Sequence, residues 1–141
     1  MDLVTQLLKA DIGKVKAREC EMESKCLSEL LGQKSSVKLR ALPPERNDEI
    51  QEDSFSLDKK GRLKDISISR IKVLTVLDGL VEPSMRDKQL QAHFKAPTPK
   101  ELLNKLFNAG EIQKMYEKIN ELSGFGDDDE EESAVEEIKN S

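Results

Sequence analysis

The chain has no tryptophan, one tyrosine, four phenylalanines and a single histidine among 141 residues. With so few aromatics, any core has to be built from Leu, Ile and Val. One histidine, His93, rules out a histidine metal cluster or a His–His dyad. On an amphipathic segment beside Phe94, it reads as a partly buried structural residue. Two cysteines, Cys20 and Cys26, sit six apart, outside any metal-ligand spacing, and read as reduced small side chains. The glycines are scattered and never close enough to cradle a phosphate, and no serine sits in a Gly-x-Ser-x-Gly turn. Residues 127–132 lack the spacing of an EF-hand loop. No catalytic residue, metal ligand or cofactor site is expected, and the chain reads as non-enzymatic.

Long apolar runs are missing too. Nothing approaches the ~20 apolar residues of a membrane span. Met1–Leu8 lacks the basic and apolar regions of a secretory signal. The chain is therefore expected to be cytoplasmic and away from membranes. Basic clusters are equally absent. The net charge of −5 is unevenly placed. Residues 127–141 hold eight acids and Lys139, a charge of −7, which leaves 22 bases and 20 acids, a net +2, for residues 1–126. Phosphate neutralisation needs concentrated Lys and Arg, so nucleic acid is not expected as a partner.

What is present is charge and helical periodicity. Charged residues make up 36% of the chain, against about 25% in an ordinary domain. We expect an α+β domain, predominantly helical, with a short β element in the first half and a helical second half. Residues 1–13 form an N-terminal amphipathic segment, residues 14–125 a single domain, and residues 126–141 a disordered acidic tail.

Leu3, Leu7 and Leu8 share one side of a short helix over residues 2–9, interrupted at Gly13. Val15–Met22 fits a strand or a charged helix. Leu27–Leu31 reads as a helical turn closed by Gly32 at C′. Ser36–Leu42 alternates, with Val37, Leu39 and Ala41 on one face of a half-buried strand. Pro44 opens a helix through Gln51. Asp58–Gly61 is a turn, with Phe55, Leu57 and Leu63 flanking a hairpin.

The most apolar stretch is 66–81. We favour a buried helix with Ile66, Val73, Leu74, Leu77, Leu80 and Val81 on one face, ending at Gly79. Its β-branched content leaves a strand open. Ser84, with Asp87 three residues on, fits an N-cap to a helix lined by Leu90, His93 and Phe94. Thr98-Pro99-Lys100-Glu101 is a capping box with Pro at N1. It begins a helix with Leu102, Leu103, Leu106 and Phe107 on its apolar face. Gly110 breaks it, and Ile112, Met115, Tyr116, Ile119 and Leu122 form the next one-sided stripe, closed by Gly124. These last two stripes are either core or a groove for a partner's helix. The partner-binding candidates are Leu102, Leu106, Phe107, Ile112, Met115, Tyr116 and Ile119. The acidic tail either keeps the chain soluble or shields a sticky surface until a partner displaces it.

Several pieces in order resemble one family. They are Asp78-Gly79-Leu80-Val81-Glu82-Pro83 with Lys88-Gln89-Leu90, then Phe94–Leu102, then Lys105-Leu106-Phe107-Asn108-Ala109-Gly110-Glu111-Ile112, then Ile119-Asn120-Glu121-Leu122-Ser123-Gly124-Phe125. With Val37–Pro43, they are similar to the XkdN-like phage tail assembly chaperones over about residues 27–125. The resemblance implies a chaperone of phage or prophage tails that coats the tape measure protein, keeps it soluble and helps recruit tail tube protein. It also implies absence from the mature particle, and in many members a frameshifted longer form. Self-association is a further expectation. The alternative weighed is a structural tail component, a completion or connector protein.

Overall fold

Local capping chemistry marks out most of the elements. The computed structural model describes residues 2–57 and 63–125, the side chains of 55–57 and 63–66 excepted. Asp2 accepts the Thr5 amide at 2.8 Å and starts α1 (Leu3–Leu8). Asp11 starts a single 3-10 turn at Ile12–Lys14. The ambiguous stretch resolves as a strand, β1 (Glu19–Glu23), with Cys20 and Met22 turned inward. Ser24 caps α2 (Lys25–Leu31), and Gly32 closes it at φ 72°, a left-handed conformation that glycine adopts without steric cost.

β2 (Ser36–Arg40) buries Val37 and Leu39 completely, and Ala41 follows them inward. Pro44 opens α3 (Pro44–Asp53), which commits only Ile50 to the core. β3 (Phe55–Leu57) pairs antiparallel with β4 (Leu63–Ile66). The expected Asp58–Gly61 turn lies outside the described residues, as does the acidic tail from residue 126.

The β-branched run is a helix over most of its length. Ser67 caps α4 (Ile68–Gly79) by accepting the Arg70 amide. Its buried face matches the expected one only in part. Ile66 belongs to β4, Leu80 and Val81 begin β5 (Leu80–Glu82), and Val73 and Leu74 are half-buried. Leu77 is buried as expected, and so is Leu80 from its strand, but Ile71, Thr75, Val76, Asp78 and Gly79 supply the rest of the inward face. The apolar run spans a helix and a strand end, so no single helical phase describes it. β2 lies between β1 and β5, and all three are antiparallel. β5 stops at the cis Glu82–Pro83 peptide.

Two expected boundaries move. Asp87, not Ser84, is the N-cap of α5 (Lys88–His93), its carboxylate accepting the Gln89 and Leu90 amides. Ser84 instead shapes the preceding turn, where the Asp87 amide bonds to its carbonyl. Likewise Gly110 lies inside α7 (Ala109–Leu122). The break from α6 (Pro99–Leu106) comes at extended Phe107, and the Asn108 side chain caps α7 through the Glu111 amide. A capping side chain outweighs a tolerated glycine in the first turn. Thr98 caps α6 as expected. At the far end, Gly124 has φ 92°, Gly124 N–H bonds Glu121 C=O and Phe125 N–H bonds Asn120 C=O, a Schellman closure.

α7 is the spine. It packs on α4 and on β2, while α6 also meets α4. Leu39, Ile50, Met85, Leu102, Leu103, Met115 and Ile119 are fully enclosed there. Each such aliphatic side chain contributes about 1.5–3 kcal/mol of burial. Gly79 lets α4 approach α7. A Cβ built on it would lie 2.4 Å from Ile119 Cδ1, 2.7 Å from Cγ1 and 2.9 Å from Cγ2.

Candidate functional site

The stripe expected to meet a partner is the stripe that closes the fold. Leu102, Leu106, Phe107, Ile112, Met115 and Ile119 are all buried, between 0 and 9% exposed. They interlock with α4 and β2, and their apolar area is already spent on the core. Tyr116 is the exception. It is half-buried and lines a cleft of about 380 Å³ with Asn47, Asp48, Gln51, Ile71, Thr75, Asn120 and Phe125.

Exposed apolar side chains occur singly or in pairs at Leu30, Leu31, Ile68, Val81 and Phe125, and gather at the other end of the chain. Leu3, Val4, Leu7, Leu8, Ile12 and Val15 are 63–87% exposed, and α1 has no buried residue. Six aliphatic side chains within thirteen residues form an exposed apolar arm, the sort of surface that marks an interaction site. The amphipathic pattern at 2–9 was legible in the sequence, but its apolar side faces solvent rather than the domain.

A polar cluster gathers where α4 ends. The Asp78 carboxylate is enclosed, with Arg46 Nε on one oxygen and Arg86 Nη2 at 2.7 Å from the other. Arg86 Nη1 donates to Leu77 C=O at 3.1 Å, and Arg40 Nε to Asp78 C=O at 3.1 Å. These guanidinium groups cap the last carbonyls of α4 and meet the negative end of its dipole. Asp78 raises the Arg46 pKa further, mainly through this hydrogen bond. The cluster borders a groove of about 950 Å³ between residues 15–18, the β2–α3 junction at 40–46, and the α7 end at 122–124. Ser123 braces its floor, with Oγ accepting Leu42 N–H at 2.9 Å and donating to Ile119 C=O at 2.7 Å.

A second buried carboxylate joins the halves of the chain. Glu111 Oε2 accepts the Cys26 amide at 2.9 Å, tying the start of α7 to the start of α2. Burial acts to raise its pKa, but hydrogen bonding from Cys26, Ser24 and the Lys25 amide prevails and holds the carboxyl below its ordinary value. The other oxygen, Oε1, is enclosed with no hydrogen-bond partner among the described residues. In return, the Glu111 carboxylate raises the Cys26 thiol pKa, and burial raises that of Cys20, which disfavours thiolate reactivity at both. Neither cysteine is in a disulfide. His93 is exposed rather than partly buried, its ring edge-on to Phe94 at 4.9 Å. No group of three or more His, Cys, Asp or Glu among the described residues is arranged to hold a metal ion, and none of their helices is long and apolar enough to cross a membrane.

The geometry is that of a helical domain with an apolar arm and a groove. Comparison with known proteins places it. The profile of the phage XkdN-like tail assembly chaperone proteins matches residues 4–139. The chain belongs to this family. Among the relatives of this XkdN-like chain is the phage-like element PBSX protein XkdN of Bacillus subtilis (strain 168), 28% identical over 94 residues, 64% of each chain. YqbN of the same organism is 27% identical over 93 residues, covering 63% of this chain and 62% of its own. The chain thus matches just under two thirds of the length of either relative. A crystal structure of YqbN superimposes with a TM-score of 0.58 at 19% identity, covering 79% of this chain and 88% of that one, so the fold is shared.

The Arg–Asp78 cluster and the Glu111 anchor were not found by motif reading. A signal for the first existed. Asp78 is the one acid within Ile68–Gly79, and a carboxylate inside an apolar helix has to find cations. Glu111 gave no such signal, because an acid in the first turn of a helix is ordinary.

Proposed function

We propose that this chain is a non-enzymatic tail assembly chaperone that binds the tape measure protein, keeps it soluble and helps recruit tail tube subunits. It acts in the cytoplasm of the bacterial host and is absent from the mature particle. The observation that carries this reading is the exposed apolar arm of Leu3, Val4, Leu7, Leu8, Ile12 and Val15 on a member of a tail assembly chaperone family. A chaperone for a long helical client needs an apolar surface that is free before the client arrives. A short amphipathic helix laid against the client's apolar face supplies one. No residue of α1 is buried, so engaging the client through it costs no core contacts. Tyr116, beside its cleft, is the one accessible residue among the seven candidates of the helical stripe.

Co-expression with the tape measure protein, with a tag on this chain, tests the proposal. The client should become soluble and co-purify with many copies. Leu7→Asp/Leu8→Asp in the arm should abolish that while leaving the domain folded. Capture undiminished by the arm variant would remove the arm from the reading. A client that stays insoluble with the wild-type chain and also with a frameshifted longer form would overturn the chaperone role itself.

A further inference from the structure

The groove beside the end of α7 has charges and a position that the chaperone reading does not use. Five charged side chains line it: Lys16, Arg18, Arg40, Arg46 and Asp78. The one acid is already taken by Arg46 and Arg86, and Arg46 also pairs with Glu49 at 2.9 Å, so Arg46 is spent as well. Lys16 and Arg18 form no ion pair among the described residues. Two helix C-termini also end at this groove, and each is equivalent to about half a negative charge. Their carbonyls are largely occupied. Those of Leu77 and Asp78 hold Arg86 and Arg40, and those of Asn120, Glu121 and Ile119 hold the closing turn of α7. What remains open is Lys16, Arg18 and the outer nitrogens of Arg40 around an apolar floor of Ala41, Leu42, Pro43 and Leu122.

The chain supplies a matching anion at the rim. Gly124 is itself part of the lining, and 16 residues follow Phe125. They begin Gly126-Asp127-Asp128-Asp129-Glu130-Glu131-Glu132 and carry eight acids against Lys139. Fully extended, such a segment reaches roughly 50 Å, far beyond what is needed to return to residues 16–18. Tethered one residue from the groove, it is present at an effective concentration of about millimolar. Charge complementarity, reach and point of attachment agree.

We propose that residues 127–132 occupy this groove in cis, their carboxylates against Lys16, Arg18 and Arg40, so that the tail covers a cationic surface of its own domain. The proposal does not depend on the identity of the client. A partner presenting a stronger acidic segment would displace the tail.

The test uses the intact chain, isotopically labelled and followed by amide NMR. Raising NaCl from about 0.02 to about 0.5 M shortens the screening length to a few ångströms. It should shift Ala17, Arg18, Ala41 and Ser123 by releasing the tail, and leave Gly32 and Ala92 unmoved. Neutralising the tail by D127N/D128N/D129N with E130Q/E131Q/E132Q should place those four amides at their high-salt positions at every salt concentration. R18E should do the same at Ala41 and Ser123 from the groove side, and the unmoved Gly32 and Ala92 signals show that each variant is folded. Identical groove shifts in wild type and tail variant at low salt would overturn the proposal. Shifts that grow with protein concentration would overturn it too, because they assign the groove to a second copy.

Discussion

Replacing Gly79 with alanine tests whether the approach of α4 to α7 organises the domain. The added methyl would lie within 3.0 Å of all three outer carbons of Ile119. Ile119 is fully enclosed and cannot swing away. Overpacking of this kind costs about 1–3 kcal/mol. Alanine at a helical position returns up to ~1 kcal/mol relative to glycine, so the net loss should be about 1–2 kcal/mol. In a chain of this size that lowers Tm by roughly 3–10 °C. Ile119→Ala alone should cost about 2–5 kcal/mol as a cavity. The double variant should cost less than the sum of the two, because the methyl on residue 79 enters space that the isoleucine has left. A coupling of at least about 1 kcal/mol is expected in a cycle measured by urea unfolding. Ile119→Val removes only Cδ1, the nearest of the three atoms, and should give a smaller rescue. A Gly79→Ala protein as stable as wild type, or strictly additive variants, would refute the close packing.

Four further outcomes are expected. Asp78→Asn should destabilise the domain by about 1–3 kcal/mol in thermal melts, below the ~3–5 kcal/mol of a fully buried pair, because Arg46 and Arg86 remain 31% and 51% exposed. Glu111 should contribute to acid lability. Its folded pKa lies below the unfolded one, so its stabilisation is present above the ordinary carboxylate value and is lost as pH falls through the folded value. Chemical denaturation from neutral to acid pH should show that slope flattened in Glu111→Gln. Lys95 holds φ 55° after α5 without being glycine, and Lys95→Gly should raise stability by up to ~1 kcal/mol in the same assay. Leu7→Asp/Leu8→Asp should leave Tm within about 1–2 °C of wild type, since no residue of α1 is buried. A clearly lower Tm would show that the arm packs on the domain.

Much of this fold was legible residue by residue. The alternation at Val37, Leu39 and Ala41, the caps at Thr98, Gly32 and Gly124, and the stripe from Ile112 to Ile119 each follow from local chemistry, and each appears where that chemistry puts it. The failures have a common cause. At Ser84, Gly110 and the 66–81 run, two local signals competed, and tertiary context decided between them. Asp87 outweighed Ser84 by reaching two amides. The 66–81 run was divided by the demand of β2 for a partner strand. For the site, a stripe pattern says only that a face is apolar, not what covers it. Six of the seven partner-binding candidates are covered by α4 and β2, which are remote in sequence. The groove is assembled from three separated segments, and no spacing rule reaches across them.

β1 is an outer strand of the three-stranded sheet. Its solvent-side positions are Glu19, Glu21 and Glu23, with Lys38 of β2 answering the first at 3.1 Å. An open edge invites another strand to add to it. A second copy of this edge would bring its own row of glutamates against the first, and like charges across a strand pair repel. The sheet therefore discriminates among its possible extensions by charge: it resists growth by self-templating, and admits a strand that arrives carrying lysine or arginine.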